Sequence, residues 1–443
     1  MIIQSIKIDH YKSIATPFDL EEAGHIHIFI GPNNAGKTNI LDAINIFAIG
    51  DEKHSYFADK KADIEIVIKL EREAHELKLK ESDTVKLIKH GYETKFISNN
   101  SEIDLATAKN FFRKHLVRVC ATKPIPTDKL TKDYEELLTE YPKEFKIFRE
   151  TIEQYFPEIN LNPVFMEKVI IEEYGNERPF ERLGAGFQQV FVMLLYLFHP
   201  HYHVLLIEEP EIHLHPAMQK KLMTVLEAKD LKNQIFFTTH SPVFIHPENL
   251  HRVFRVIREK EGTRVYSPRI ESKMIDYKRL VQELNADNCE IFLADKVLIV
   301  EGVSDRILMR GLINRFYKGQ KEIKVIYVFG KTNVDVYVYL LEMFNIQYAV
   351  MLDKDALVGV TAKIILDKLA GQKNLSEQEK IEYLKKCNIF ILTRGRLEWN
   401  YPRKYQKIRK HKPLNALLAV SQITPEEYQS DLMKDLKEVI ESL

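Results

Sequence analysis

Ile26-His27-Ile28-Phe29-Ile30 runs into Gly31-Pro32-Asn33-Asn34-Ala35-Gly36-Lys37-Thr38, and Asn39-Ile40-Leu41 follows. Isoleucines at 26, 28 and 30 alternate with the period of a strand, while Ile40, Leu41, Ile44 and Phe47 recur at helical spacing. The eight residues between them fit G-x-x-x-x-G-K-[ST], with the strand before and the helix after that this motif requires. Glycines let the loop curl until its N–H groups face phosphate oxygens, and the helix N-terminus adds its dipole. Lys37 brings positive charge to the outer phosphates, and Thr38 an oxygen for Mg²⁺. Asn33, Asn34, Gly36, Lys37, Thr38 and Asn39 are therefore the candidate contacts for ATP.

Outward from this loop, the first thirty residues and residues 62–98 alternate apolar and polar side chains, as in Ile64, Ile66, Ile68 and Leu70. That pattern predicts exposed, charge-faced strands. Residues 103–157 read as mostly helical and rich in Lys and Glu. Between 160 and 270, apolar strands such as Val204–Ile207 and Ile235–Thr238 alternate with helices, which predicts a parallel sheet. Val204–Ile207 ends in Glu208 and Glu209. Glu208 is placed to meet the Mg²⁺ shell, and Glu209 to orient or deprotonate an attacking water. His240 follows the next strand as a candidate γ-phosphate sensor. His199, His201, His203, His213 and His215 have no Cys or Asp at ligand spacing, so a zinc cluster is not expected.

A second α/β series begins near Asp295, with the boundary expected around 285–295. Strands are predicted at Lys296–Val300, Ile323–Phe329, Tyr348–Leu352 and Ile389–Leu392, with helices at Arg306–Phe316 and Val334–Phe344. Thr424, Pro425 and Glu427 spell a helix start. Val300 leads into Glu301 and, four residues on, Asp305; Leu352 leads into Asp353-Lys354-Asp355. Adjacent strand tips of a parallel sheet converge at its carboxyl edge. Crowded oxygen ligands there suit Mg²⁺ or Mn²⁺. Arg394–Lys412 holds eight Lys/Arg against the single acid Glu398, with Trp399, Tyr401 and Tyr405 among them, a strip suited to a nucleic-acid backbone.

The order Gly31–Thr38, Arg182-Leu183-Gly184-Ala185-Gly186-Phe187-Gln188, Ile207–Pro216 and Thr239-His240-Ser241-Pro242 resembles ABC/SMC-type ATPases. Within them it is most similar to the OLD (overcoming lysogenization defect) nucleases. Glu301…Asp305, Asp353…Asp355, Thr393-Arg394-Gly395 and Glu398 resemble the TOPRIM module that accompanies this head. The resemblance implies an α/β protein. An ABC/SMC-like ATPase domain would occupy 1–290, with a helical or dimerisation insert at about 100–175. A Rossmann-like TOPRIM nuclease domain with a parallel sheet would follow at 291–400, then a basic segment and C-terminal helix at 401–443. It makes Gly184, Gly186 and Gln188 part of a signature loop offered to a partner head's nucleotide, in a homodimer or higher oligomer. It also implies two-metal DNA cleavage, with Glu301, Asp353 and Asp355 on one ion and Asp305 with Glu398 on the other. Ala185 in place of the usual serine, and Glu208 in place of aspartate, point to slow hydrolysis. The implied role is phage defence or DNA repair, alone or with a separate helicase or effector. The alternative is an ATP-gated DNA-binding sensor whose TOPRIM does not cut and recruits an effector.

Composition sets the outer limits. The 443 residues carry 64 Lys+Arg and 64 Asp+Glu, so a nucleic-acid partner must be held by a local patch, not a global field. The longest apolar run, Val190–Phe198, is about half of the ~18 residues a membrane helix needs. No signal-peptide pattern opens the chain. Three distant cysteines, Cys120, Cys289 and Cys387, make no disulfide framework. A soluble, cytoplasmic protein with no membrane partner is expected.

Overall fold

Alternation at the N-terminus builds a six-stranded antiparallel sheet. Its strands are β1 (Ile2–Asp9), β2 (Phe18–Leu20), β4 (Asp63–Lys69), β5 (Thr84–His90), β6 (Glu93–Ser98) and β7 (Ser101–Ile103), in the order β2-β1-β4-β5-β6-β7. Along β4, Ile64, Ile66 and Ile68 are buried while Asp63 and Lys69 stay exposed, as a half-buried strand requires. The computed structural model describes all residues except 22, 50–62, 92, 162–164, 167, 229–230, 268–285, 373 and 409–410. Arg409 and Lys410 of the basic strip, and the start of the expected domain boundary at 285, thus lie outside the described residues. The chain divides into two units: Met1–Ile245 with Asn249–Tyr266, and Ser267–Leu443 with His246–Glu248.

The first unit has a second six-stranded sheet, ordered β16-β15-β3-β14-β13-β8. It comprises β3 (Ile26–Ile30), β8 (Leu116–Cys120), β13 (Val204–Glu208), β14 (Gln234–Thr239), β15 (Val253–Glu259) and β16 (Gly262–Tyr266). All neighbours are parallel except the β15–β16 hairpin. Every residue of β3 and β14 is buried, which explains why these strands are apolar on both faces. Helices α1 (Lys37–Ile49) and α2 (Leu105–His115) join the two sheets in one core. Helices α3 (Thr127–Glu140) and α4 (Pro142–Tyr155) and a small sheet, β9 (Ile159–Asn160) to β12 (Asn176–Pro179), lie between β8 and β13 in the chain. Helix α5 (Ala185–Phe198) is apolar nearly all round and buried, and α6 (Pro216–Leu226) follows β13.

The stretch 103–157 is mostly helical, as the sequence predicts, and β8 interrupts it as an edge strand of the parallel sheet. Its five residues are too short to show a period, and their partner, β13, lies far along the chain.

The second unit is a four-stranded parallel sheet, ordered β18-β17-β19-β20: β17 (Lys296–Val300), β18 (Ile323–Tyr327), β19 (Gln347–Leu352) and β20 (Ile389–Ile391). Helices Val303–Phe316, Val334–Met343, Lys363–Leu369 and Glu377–Lys386 connect the strands. The segment after residue 400 is no appendage: Tyr401, Ala416, Ala419, Leu436 and Ile440 share one core with Leu308, Leu312 and Met351. Thr424 caps its helix through Glu427 N, and Glu427 returns the bond to Thr424 N.

Candidate functional site

In the first unit the phosphate loop lies at the tip of β3. Lys37 is buried, and its Nζ donates to the carbonyls of Gly31 (2.9 Å) and Pro32 (3.0 Å), so the side chain curls back over the loop. Burial lowers its pKa, and the charges of Glu209, Glu211 and Glu208 oppose that shift. Asn33 and Asn34 are exposed at the mouth, Asn34 at φ +62°. Gly36 sits at φ +100°, and a Cβ there would lie 2.1 Å from Thr263 Oγ1, so only glycine fits. Thr263 donates to the Ala35 carbonyl (2.7 Å), and Asn39 Nδ2 donates to Ser13 Oγ (2.5 Å). Asn39 is thus occupied within the fold. Ser13 and Thr263 brace the loop from distant segments that no local motif marks.

Thr38 and Glu208 meet directly: Thr38 Oγ1 donates to Glu208 Oε1 at 2.6 Å. Arg118 on β8 bridges the other Glu208 oxygen (2.6 Å) and Asp42 on α1 (2.5 Å). Burial works to raise Glu208, but the bonds from Thr38 and Arg118 outweigh it, and its pKa is lowered. A lone arginine in the apolar run Leu116–Cys120 was the available signal for this contact. Glu209 stands at φ +48°, an unfavourable conformation of the kind that gathers at functional sites. His240 Nδ1 lies 3.6 Å from Glu209 and 3.1 Å from Glu211. Glu211 Oε1 also accepts from Thr239 Oγ1 and from His240 N, so this buried acid positions the candidate sensor. Gly184 and Ala185 are exposed at the start of α5. Gln188 donates to the Leu183 carbonyl, and Gly186 closes on the His213 carbonyl, 2.9 Å from where a Cβ would be.

In the second unit, a cleft of about 320 Å³ opens at the tips of β17 and β19. Glu301, Asp305, Asp353, Leu397, Glu398 and Lys412 are among its lining residues. Parallel pairing of Val300 with Met351 brings the two acidic strand ends side by side. Asp353 Oδ1 accepts from Leu397 N (3.0 Å), and Asp305 Oδ2 from Gly302 N (2.8 Å) at the helix start. Burial, reinforced by the charge of Asp353, pushes Asp305 up to about 7. Burial and the charge of Glu301 push Asp353 up to about 6, and Glu301 is raised by burial and by Asp355. Glu301 Oε2 is buried with no hydrogen-bond partner among the described residues. Raised acids and an orphaned carboxylate oxygen are what a divalent cation would relieve, so these donors suit Mg²⁺ or Mn²⁺.

Two expected ligands are held differently. Asp355 is exposed outside the lining, with Oδ1 3.4 Å from Lys331 Nζ, and does not join Glu301 and Asp353 as one ligand group. Glu398 lines the cleft but is ion-paired with Lys412 at 2.8 Å. Among the described residues, no three acidic, His or Cys side chains are gathered as a ready coordination shell. Tyr401 and Tyr405 are buried, so of the aromatics in the basic strip only Trp399 is exposed. Thr393 N and Oγ1 donate to Asp435, which makes that residue a brace for the C-terminal helix.

Family models match in the same order as the two sites. An AAA ATPase domain model covers 1–121, an AAA domain model associated with AbiEii of a type IV TA system covers 170–246, and an overcoming lysogenization defect protein-like TOPRIM model covers 292–355. The OLD nuclease of Thermus scotoductus is 27% identical over 243 residues, 51% of this chain and 46% of that protein. Endonuclease GajA of Bacillus cereus is 28% identical over 184 residues, 39% of this chain and 31% of that one. The chain therefore spans less than half the length of these curated relatives. The SMC head bound to the C-winged helix domain of ScpA is matched over 61% of this chain and 99% of its own at 15% identity, with a TM-score of 0.48. A phosphate-loop ATPase head followed by a TOPRIM module is the class that fold and sites define. In carrying these two parts in this order the chain is similar to the OLD nucleases.

Proposed function

We propose that this protein is an ATP-regulated, divalent-metal-dependent DNA endonuclease or nickase acting in the cytoplasm, in phage defence or DNA repair. The convergence of Glu301, Asp305, Asp353 and Glu398 on one cleft, with Glu301 Oε2 unpartnered, carries the reading. Glu301 and Asp353 would hold one ion and Asp305 with Glu398 a second, while Asp355 stays outside, beside Lys331. Bound Mg²⁺ or Mn²⁺ would supply the charge that activates water and stabilises the leaving oxygen. Lys412 and Lys331 offer positive charge to the flanking phosphates. In the head, Asn33, Asn34, Gly36 and Lys37 would cradle ATP, Thr38 and Glu208 its Mg²⁺, Glu209 the attacking water, and His240 the γ-phosphate. Gly184, Gly186 and Gln188 would complete a second copy's site in a homodimer. Among the described residues no helix is long and apolar enough to cross a membrane.

A second reading has one observation in its favour: Glu398 and Asp355 are both engaged by lysines. In it the TOPRIM binds DNA without cutting and recruits a separate effector. Nicking of supercoiled plasmid in Mg²⁺ or Mn²⁺, with and without ATP, separates the two. Wild type is expected to nick only with metal, and Glu301→Ala to lose at least about tenfold. Lys37→Ala is expected to differ from wild type only when ATP is present. Equal nicking by wild type and Glu301→Ala, or none by either, rejects the nuclease.

A further inference from the structure

Phe329, on the rim of the carboxylate cleft, carries two unfavourable features at once. Its side chain is 67% exposed, and its backbone is held at φ +51°, a region that bulky residues avoid. The neighbouring Gly330 has the conformational freedom that Phe329 lacks. The exposed ring is not adrift. Tyr327 backs it with centroids 4.7 Å apart at 62°, and the Arg306 guanidinium lies 4.9 Å from the Tyr327 centroid. Trp399 is the second case, 58% exposed and adjacent to the cleft-lining Glu398. Its ring is seated on Gly395, where a Cβ would come within 2.6 Å of the indole. The Gly395 carbonyl accepts from Lys354 N (3.0 Å), beside Asp353. Among the described aromatic side chains of this unit, these two alone are exposed, and both flank the same acids.

We propose that Phe329 and Trp399 are stacking platforms for unpaired nucleotides, so that the strand taken by this cleft is single-stranded at or beside the phosphate it holds. The inference rests on the nucleic-acid reading above and adds the kind of DNA. In an intact duplex the base faces are covered by their neighbours, and aromatic rings at a backbone-binding cleft find no partner. A splayed base offers a face to each ring, and every base has such a face. The selectivity is therefore for DNA structure, such as gaps, flaps or bubbles, with little regard for sequence. Strain and exposure at Phe329 persist because the ring's partner arrives with the substrate.

The test is fluorescence anisotropy on the full chain, with Ca²⁺ in place of Mg²⁺, using an intact duplex and the same duplex carrying a short single-stranded gap. Wild type is expected to bind the gapped DNA about tenfold more tightly. Phe329→Ala and Trp399→Ala should each lose most of that preference and leave intact-duplex binding unchanged, while Phe329→Trp retains it. Phe329→Asn, whose side chain tolerates the left-handed backbone, should lose the preference and raise the melting temperature. Equal preference in wild type and both alanine variants, a uniform loss on both DNAs, or a wild-type preference for intact duplex overturns the inference while leaving the nuclease reading standing. Wild type that binds neither DNA and nicks no plasmid removes the nucleic-acid reading and this inference together.

Discussion

Arg118 holds Asp42 and Glu208 in place, and all three side chains are less than a fifth exposed. Removing the guanidinium strands two half-buried carboxylates beside the phosphate loop. Arg118→Ala is expected to cost about 3 kcal/mol in urea unfolding at neutral pH. Asp42 and Glu208 both lie below the ordinary carboxylate range. Their contribution is therefore present above that range and lost as pH falls through their lowered values. The cleft acids have the opposite sign. Asp305 and Asp353, raised to about 7 and about 6, keep protons that the unfolded chain releases from about pH 4 upward. The metal-free protein thus loses stability as pH rises from about 4 to about 7. Thermal melts in EDTA should place Asp305→Asn above wild type at pH 8 and level with it below pH 4. Mg²⁺ should recover the wild-type loss at pH 8 by mass action. The acids themselves were legible in the sequence, since each ends an apolar strand or follows one closely. The ion pairs of Asp355 with Lys331 and of Glu398 with Lys412 were not, because nothing in local spacing says which lysine folds over which acid.

At the scale of elements, the helix Val303–Phe316 meets the helix Lys412–Gln422 at Gly311. A Cβ there would lie 2.3 Å from Val420 Cγ1. Gly311→Ala should therefore destabilise the second unit by about 1–3 kcal/mol, and Val420→Ala should restore part of the loss in the double variant, read by urea denaturation. The strands of both sheets announced themselves by alternation or by all-apolar runs bounded by turns. The turn chemistry at Thr424 marked its helix start just as plainly. Strand β8 gave no such sign, since five residues fit several patterns and only pairing with β13 makes them a strand. The segment 401–443 also looked separable. Its basic residues dominate the reading, whereas Tyr401, Ala416, Leu436 and Ile440 do the packing.

Over the whole molecule, each unit carries its own parallel sheet, and each candidate site lies at that sheet's carboxyl edge. The proposed head dimer makes a concentration-dependent prediction. By light scattering, Glu209→Gln with Mg²⁺ and ATP is expected to run as a dimer at protein concentrations where Lys37→Ala stays at its nucleotide-free mass. An unchanged mass in both would reject nucleotide-driven pairing. Local patterns along the chain establish the chemistry available: a phosphate loop between strand and helix, carboxylates at strand tips, and two α/β series in order. Periodicity and short motifs carry that information because they act between residues close together in the chain. Tertiary structure alone decided that Arg118 joins Asp42 to Glu208, that Asp355 turns to Lys331, and that Phe329 and Trp399 stand exposed while Tyr401 and Tyr405 are buried. Those outcomes depend on which distant strands and helices lie side by side, and pairing across long separations leaves no mark in local spacing.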